Sequence, residues 1–284
     1  MQQSSGARKM GIYRRVRTVE GSENTTKPRS LARFHFIVGL PRSGCSLLAA
    51  ILDQNPGFVA RVSSPAESVF CRTLGLFDDS SEQSLRFDDQ QRIALLRGAI
   101  DAIYHDRPLG AAVFDANPAW LDHVDELARL FPLCRFILCV RNPAQIINAI
   151  EVSGPLTSDQ EALSKSVNRL IASDGAVGAE VARLREALSS SHTERMLVLD
   201  YDRLADDPEE AIEVLYDFLR EPAFGHDFSD IGRGYGAQIG FSGPVRRSDH
   251  AMVLPMRTVL QLSGKAFWRN LKRTSATMML GRAR

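Results

Sequence analysis

The stretch FHFIVGLPRSGCSLLAAIL, residues 34–52, decides the fold. A short apolar strand, FHFIVG, runs into a turn bracketed by Gly39 and Gly44, and an apolar helix pattern, SLLAAIL, follows at once. Strand, glycine turn and helix in that order build a cradle for phosphate-like anions. The glycines let backbone N–H groups turn inward, the helix points its positive end at the ligand, and Ser46 adds a hydroxyl donor. The spacing of GLPRSGCS, residues 39–46, matches the G-x-x-x-x-G-K-[ST] pattern of a nucleotide-binding P-loop at every position but one. Cys45 stands where an ATPase has its phosphate-gripping lysine. The ammonium that would hold a β/γ-phosphate bridge is lost, while Arg42 puts a fixed charge inside the turn, suited to a planar, multi-oxygen group. The loop therefore favours a nucleotide whose chemistry is not ATP hydrolysis.

Working outward, residues 88–106 carry Ile93, Leu96, Ile100 and Ile103 at helical spacing behind an acidic start, predicting an amphipathic helix that covers a sheet. Residues 111–115 read as a short strand ending in Asp115, with a turn at Asn117-Pro118 and a helix over 121–131 that contains His123. Residues 135–141 are the next strand, ending in Arg141, and Pro143 opens a helix. Residues 157–189 predict two helices broken near Gly175 and Gly178; residues 196–200 predict a fourth strand, and 208–220 a strongly patterned helix. Strands alternating with helices imply an α/β, P-loop-type three-layer fold, with a central parallel sheet flanked by helices. Ligands of such sheets sit beyond the carboxyl ends of the strands. Gly39, Asp115, Arg141 and Asp200 all fall there, so the motifs converge on one edge.

A chain of 284 residues with 44% hydrophobic content can bury one substantial core, which predicts one domain over residues 34–284. The net charge of +1 argues against a dedicated nucleic-acid binder. That balance hides a basic arm, residues 1–33, where Arg8, Lys9, Arg14, Arg15, Arg17, Lys27, Arg29 and Arg33 face only Glu20 and Glu23. Its Ser, Thr and Gly content with little apolar periodicity predicts a disordered tail. No secretory leader pattern and no bilayer-length apolar run occur. Cys45, Cys71, Cys134 and Cys139 form no C-x-x-C pair and cluster with no histidine along the sequence, so free thiols, a cytoplasmic location and no metal site are expected. Cys45 differs from the others, because a helix N-terminus favours thiolate character.

The loop VGLPRSGCSLLAAILDQNP resembles the 5′-phosphosulfate loop of sulfotransferases, whose usual form is PRSGT or PKSGT. CRFILCVRNPAQIINAIE, from Cys134, is similar to the strand whose terminal arginine binds a 3′-phosphate in that family, and MLVLDYDRLADDP, from Met196, resembles its strand, Tyr and D-P helix start. The resemblance covers residues 34–222 and continues more weakly toward the C-terminus through FSGPVRRSDHAMVLPMR, reminiscent of bacterial and tyrosylprotein members. It implies transfer of a sulfuryl group from 3′-phosphoadenosine 5′-phosphosulfate (PAPS) to a hydroxyl acceptor, with adenosine 3′,5′-bisphosphate as product. Arg42, Ser43, Gly44, Cys45 and Ser46 would hold the 5′-phosphosulfate, Arg141 the 3′-phosphate, and Tyr201 would lie near adenine. Arginines and the helix dipole supply the positive field, so no metal is required.

Two acids are candidates for the general base. Glu67 falls near the catalytic glutamate of tyrosylprotein sulfotransferases, a few residues later, and Asp115 ends a strand beside the nucleotide edge. A helix-start acid satisfying the dipole and an acid bonded to the Asn117-Pro118 turn are their bland alternatives. His123 reads as structural. Arg246 and Arg247 are placed to close over the donor or to stand as a solvated pair. Residues 63–76 and 227–249 read as loop-rich walls of an acceptor pocket suited to a sugar, phenol, lipid or peptide tyrosine.

Three positions depart from the family pattern: Cys45 for a loop threonine, Ala149 for a serine that helps hold the 3′-phosphate, and Ala116 for a lysine of the tyrosylprotein branch. They predict weakened donor binding, with Asn148 or a basic C-terminal residue as substitute donor. Two other readings remain: a P-loop kinase, supported by the LVLD run ending at Asp200, and a nucleotide-sensing protein without turnover.

Overall fold

The computed structural model describes residues 33–77, 86–153, 160–229 and 231. The basic arm up to residue 32, Arg246, Arg247 and most of the 227–249 segment lie outside the described residues. Five strands form one parallel sheet in the order β2-β3-β1-β4-β5: β1 Arg33–Gly39, β2 Phe58–Val62, β3 Ala112–Ala116, β4 Phe136–Val140 and β5 Met196–Asp200. Each neighbouring pair is parallel and in continuous register, with Phe36 opposite both Asp115 and Phe136, and Val140 opposite Asp200.

Alternation along β1 sorts the two layers of helix. Phe34, Phe36 and Val38 point into a core built with Phe70, Leu96, Ile100, Trp120, Leu127, Ile147 and Leu184. These come from α2 (Ala66–Leu74), α3 (Asp89–Ile103), α4 (Val124–Leu130), α5 (Pro143–Ser153), α7 (Gly178–Leu188) and the turn before α4, while α6 (Gln160–Ile171) adds Val167. Ile37 points the other way, into a core with α1 (Cys45–Leu52) and α9 (Pro208–Leu219). Between them lies the short α8, Tyr201–Asp206. Helices on both faces explain why β1, β3, β4 and β5 are apolar runs rather than alternating strands. Full burial of a ring such as Phe36 or Phe136 contributes about 1.5–3 kcal/mol each.

Local chemistry fixes the helix ends as the sequence suggests. Asp88 and Gln91 form a reciprocal capping box on α3. Pro208 opens α9 behind an Asp207 cap that accepts from the Glu210 amide at 3.1 Å. Arg33 belongs to β1 and is ion-paired with Glu221, so the first residues of the sheet are clamped to the end of α9.

Three features differ from the sequence reading. β2 is an additional strand, half-exposed at the sheet edge, where Arg61 pairs with Asp106 at 2.9 Å and covers the Tyr104 ring at 4.9 Å. Five residues with a charge at the fourth carry too little periodicity to be seen as a strand. The segment expected to be loop-rich, residues 63–76, contains α2, anchored through buried Ala66 and Phe70. His123 closes a 3-10 helix rather than lying inside an α-helix. Asn117 caps the Ala119 amide at 3.0 Å, Pro118 follows, and a 3-10 turn over Pro118–His123 delays α4 until Val124.

Candidate active site

The carboxyl edge of the sheet is where the loop from β1 enters α1. Gly39 has φ 154°, and a Cβ there would lie 2.1 Å from the Cys139 carbonyl oxygen on β4, so only glycine lets the two strand ends close. Gly44 caps α1 in the left-handed region at φ 96°, and a Cβ there would meet the Tyr201 ring at 2.7 Å. Between them Arg42 is also left-handed, at φ 58°. A non-glycine residue held so costs on the order of 1–3 kcal/mol, typical of ligand-gripping turns. The turn is locked by Ser43, whose buried hydroxyl donates to the Leu40 carbonyl at 2.6 Å. Arg42 is exposed at its crest and Ser46 is half-buried in the first turn of α1.

Arg141 and Tyr201 meet this loop from β4 and β5. The buried Arg141 guanidinium donates from Nη1 to the Arg42 carbonyl at 3.2 Å and lies 4.2 Å above the Tyr201 ring centroid. Burial pushes the Arg141 pKa down, and nearby Arg42 adds to this, while Tyr201 and Asp202 oppose it. Two guanidiniums close enough to repel concentrate positive potential at the mouth of the turn. Asp200 caps α8 by accepting from the Asp202 amide at 2.9 Å, which sets Tyr201 against Gly44. Tyr201 thus bridges loop and arginine by packing, a relation that the sequence did not indicate.

Cys45 opens α1. A hydrogen bond from Cys139 lowers its pKa, Ser43 at 3.7 Å adds to the effect, and burial opposes it; Cys139 is driven up correspondingly. Negative charge, if any, therefore rests on the loop sulfur, as expected at a helix N-terminus. Ala149 and Asn148 are both buried in α5, and Ala116 is buried at the end of β3.

The two acids on the other side of β1 have different surroundings. Asp115 is inside the core: Ser64 and Tyr104 hydroxyls donate to one carboxylate oxygen and the Trp120 indole N–H donates to the other at 3.0 Å. Burial raises its pKa and these three donors counter it. Its position ties β3 to α3, to the turn before α4 and to the approach to α2. Glu67 is half-buried in the first turn of α2, where it accepts from Cys71 at 3.0 Å and from Ser68 at 3.3 Å. Cys71 also contacts His123 Nε2 at 3.0 Å, so a cysteine and a histidine 52 positions apart meet, which no sequence spacing announced. An open cavity of about 380 Å³ beside α9, lined by Tyr216 and His226, lies at the opposite end of the sheet, next to Asn55, which follows α1. Among the described residues no helix is long and apolar enough to cross a membrane.

Residues 35–225 match the model of the Sulfotransferase family, which is more than half of the chain. The chain belongs to the sulfotransferase family. Protein-tyrosine sulfotransferase 1 of Danio rerio is 25% identical over 231 residues, covering 78% of this chain and 62% of that relative. This sulfotransferase-family chain therefore spans less than two thirds of that curated relative. Among solved structures, a sulfotransferase from Alicyclobacillus acidocaldarius is 17% identical, covers 88% of this chain and 96% of its own, and has a TM-score of 0.46. The sulfotransferase STF1 of Mycobacterium tuberculosis H37Rv is 13% identical, covers 84% and 78%, and has a TM-score of 0.48.

Proposed function

We propose that this chain transfers a sulfuryl group from PAPS to a hydroxyl acceptor and releases adenosine 3′,5′-bisphosphate. The observation that carries the reading is the meeting of Arg42, the inward turn between Gly39 and Gly44, Arg141 and Tyr201 at one sheet edge. The residues present fit a doubly anionic nucleotide, since a glycine-lined turn on a helix N-terminus is flanked by two guanidiniums. Bound there, PAPS supplies the activated sulfuryl group.

In this reading the loop amides, that of Cys45 among them, and the Ser46 hydroxyl orient the 5′-phosphosulfate, while Ser43 holds the turn in shape through the Leu40 carbonyl. Arg42 stabilises the charge that gathers on the bridging oxygen as the S–O bond breaks, by analogy with phosphoryl transfer. Arg141 takes the 3′-phosphate, and Tyr201 holds Arg141 and borders the adenine. The acceptor oxygen attacks sulfur and its proton passes to a carboxylate. Glu67 is the better base, because it is half-exposed on a helix start, whereas Asp115 is buried with three donors already on it. Glu67 opens the helix that follows β2, so it stands at the same carboxyl edge of the sheet as the loop after β1, with β3 between the two strands. A cytoplasmic setting accompanies this proposal, supported by four free cysteines.

The test is incubation with PAPS carrying radiolabelled sulfur and a panel of phenols, sugars, lipid alcohols and tyrosine peptides. Labelled product appearing with equimolar adenosine 3′,5′-bisphosphate is expected. Binding of the bisphosphate with no transfer to any class of hydroxyl would overturn the enzymatic reading.

A further inference from the structure

We propose that Glu67, Cys71 and His123 form a transition-metal site that takes Zn²⁺, separate from the anion loop. One ligand atom from each residue lies within 4.8 Å of the other two. The local structure brings them together for independent reasons. Glu67 and Cys71 are one turn apart on α2, so their side chains share a face. His123 ends the 3-10 turn that the Asn117 cap and the Trp120–Asp115 hydrogen bond hold against β3, and its ring packs edge-on against Phe70 at 5.2 Å. The imidazole is thus aimed at Cys71 by the core beneath it.

The donor set selects the ion. A thiolate, an imidazole and one carboxylate suit Zn²⁺ or Co²⁺, whereas Mg²⁺ and Ca²⁺ prefer oxygen alone. In tetrahedral geometry, with Zn–S about 2.3 Å and Zn–N about 2.0–2.1 Å, neighbouring donors stand about 3.5 Å apart. The Cys71–Glu67 and Cys71–His123 pairs are at 3.0 Å, so outward rotations of about half an ångström admit the ion. Three protein ligands leave the fourth position to water.

Without a cation the Cys71 thiol keeps its proton and donates it to Glu67 Oε1 at 3.0 Å. Uptake of one Zn²⁺ replaces that proton with a Zn–S bond, and one proton leaves to solvent for each ion bound. Where Glu67 serves as the base of the proposed transfer, ligation withdraws it, so zinc slows that reaction; this consequence alone rests on the functional proposal.

The test is a Co²⁺ titration of the full-length, chelator-treated protein, followed by absorption, with neither donor nor acceptor present. A thiolate-to-cobalt charge-transfer band saturating at one equivalent, displaced by Zn²⁺ with release of one proton, is expected. Cys71→Ser abolishes the band, Glu67→Gln keeps it with lowered affinity, and Cys45→Ser leaves it unchanged. Thermal melts of each variant separate misfolding from ligand loss. A wild-type protein with no such band, or the same band in folded Cys71→Ser, overturns the site. Zinc binding without slower transfer overturns only the role given to Glu67.

Discussion

The two sides of β1 carry their chemistry in opposite ways. On the β4/β5 side, Arg42, Gly44, Arg141 and Tyr201 gather around a strained turn, with Arg42 exposed at its crest and Arg141 buried beside it. On the β3/β2 side, the most heavily bonded acid, Asp115, is sunk in the core as a tie between elements, and the accessible groups are the Glu67–Cys71–His123 cluster above it. The cysteines show the same contrast: Cys45 is lowered by its hydrogen bond from Cys139, whereas Cys71 is raised by burial and a neighbouring carboxylate. A strand-end acid is thus not equivalent to a strand-end arginine. The fold uses the first for cohesion, whereas the second stacks on Tyr201 beside the turn that enters α1.

Substitutions that separate cohesion from binding sharpen this contrast. Asp115→Ala strands the donors of Ser64, Tyr104 and Trp120, and is expected to cost about 3–5 kcal/mol in denaturant unfolding. The surviving folded fraction should bind adenosine 3′,5′-bisphosphate as the wild type does. Arg42→Ala is the mirror image: the side chain is exposed, so the melting temperature without ligand should hold, while bisphosphate affinity by calorimetry falls about 10- to 100-fold, the value of a charge-assisted hydrogen bond. If the two substitutions exchanged these effects, the division between the halves would fail.

His35 lies on β1 between both halves and reports on the shared core. It is buried against Phe114 at 5.0 Å, neither ring nitrogen has a hydrogen-bond partner among the described residues, and burial followed by Arg33 and Arg135 lowers its pKa to about 3. The unfolded chain binds a proton near pH 6.5 that the native state refuses, so this contribution is fully present above 6.5 and drains away as pH falls toward 3. At about 1.4 kcal/mol per pH unit, His35→Phe should gain about 2 kcal/mol over wild type on going from neutral pH to pH 5. Equal pH dependence in both proteins would show that His35 is not the titrating group. The smallest effect is expected for Cys45→Thr, which restores the family's loop residue. Donor affinity should change by less than about tenfold, roughly the worth of one neutral hydrogen bond.

The donor half was legible because its parts are local. Two glycines, an arginine and a helix start lie within eight residues, and Arg141 and Asp200 each end an apolar run that can only be a buried strand. The parallel sheet and its edge followed from those runs. The other half was not legible, because its relations span long stretches of chain. Asp115 is defined by Tyr104, Trp120 and Ser64, and Cys71 by a histidine 52 positions away. β2 escaped notice because an edge strand interrupted by Arg61 has no apolar run to betray it. Tyr201 was expected beside adenine, yet its contacts with Gly44 and Arg141 become visible only once β4 and β5 are paired.

The central claim is that Arg42 and Arg141 converge on one adenosine bisphosphate. Titration calorimetry of adenosine 3′,5′-bisphosphate against ATP, AMP and adenosine 5′-phosphosulfate, on the wild type and on Arg42→Ala, tests it most directly. The bisphosphate should bind most tightly to the wild type and lose that preference when Arg42 is removed. Tighter binding of ATP, or a bisphosphate affinity unchanged in the variant, would contradict it.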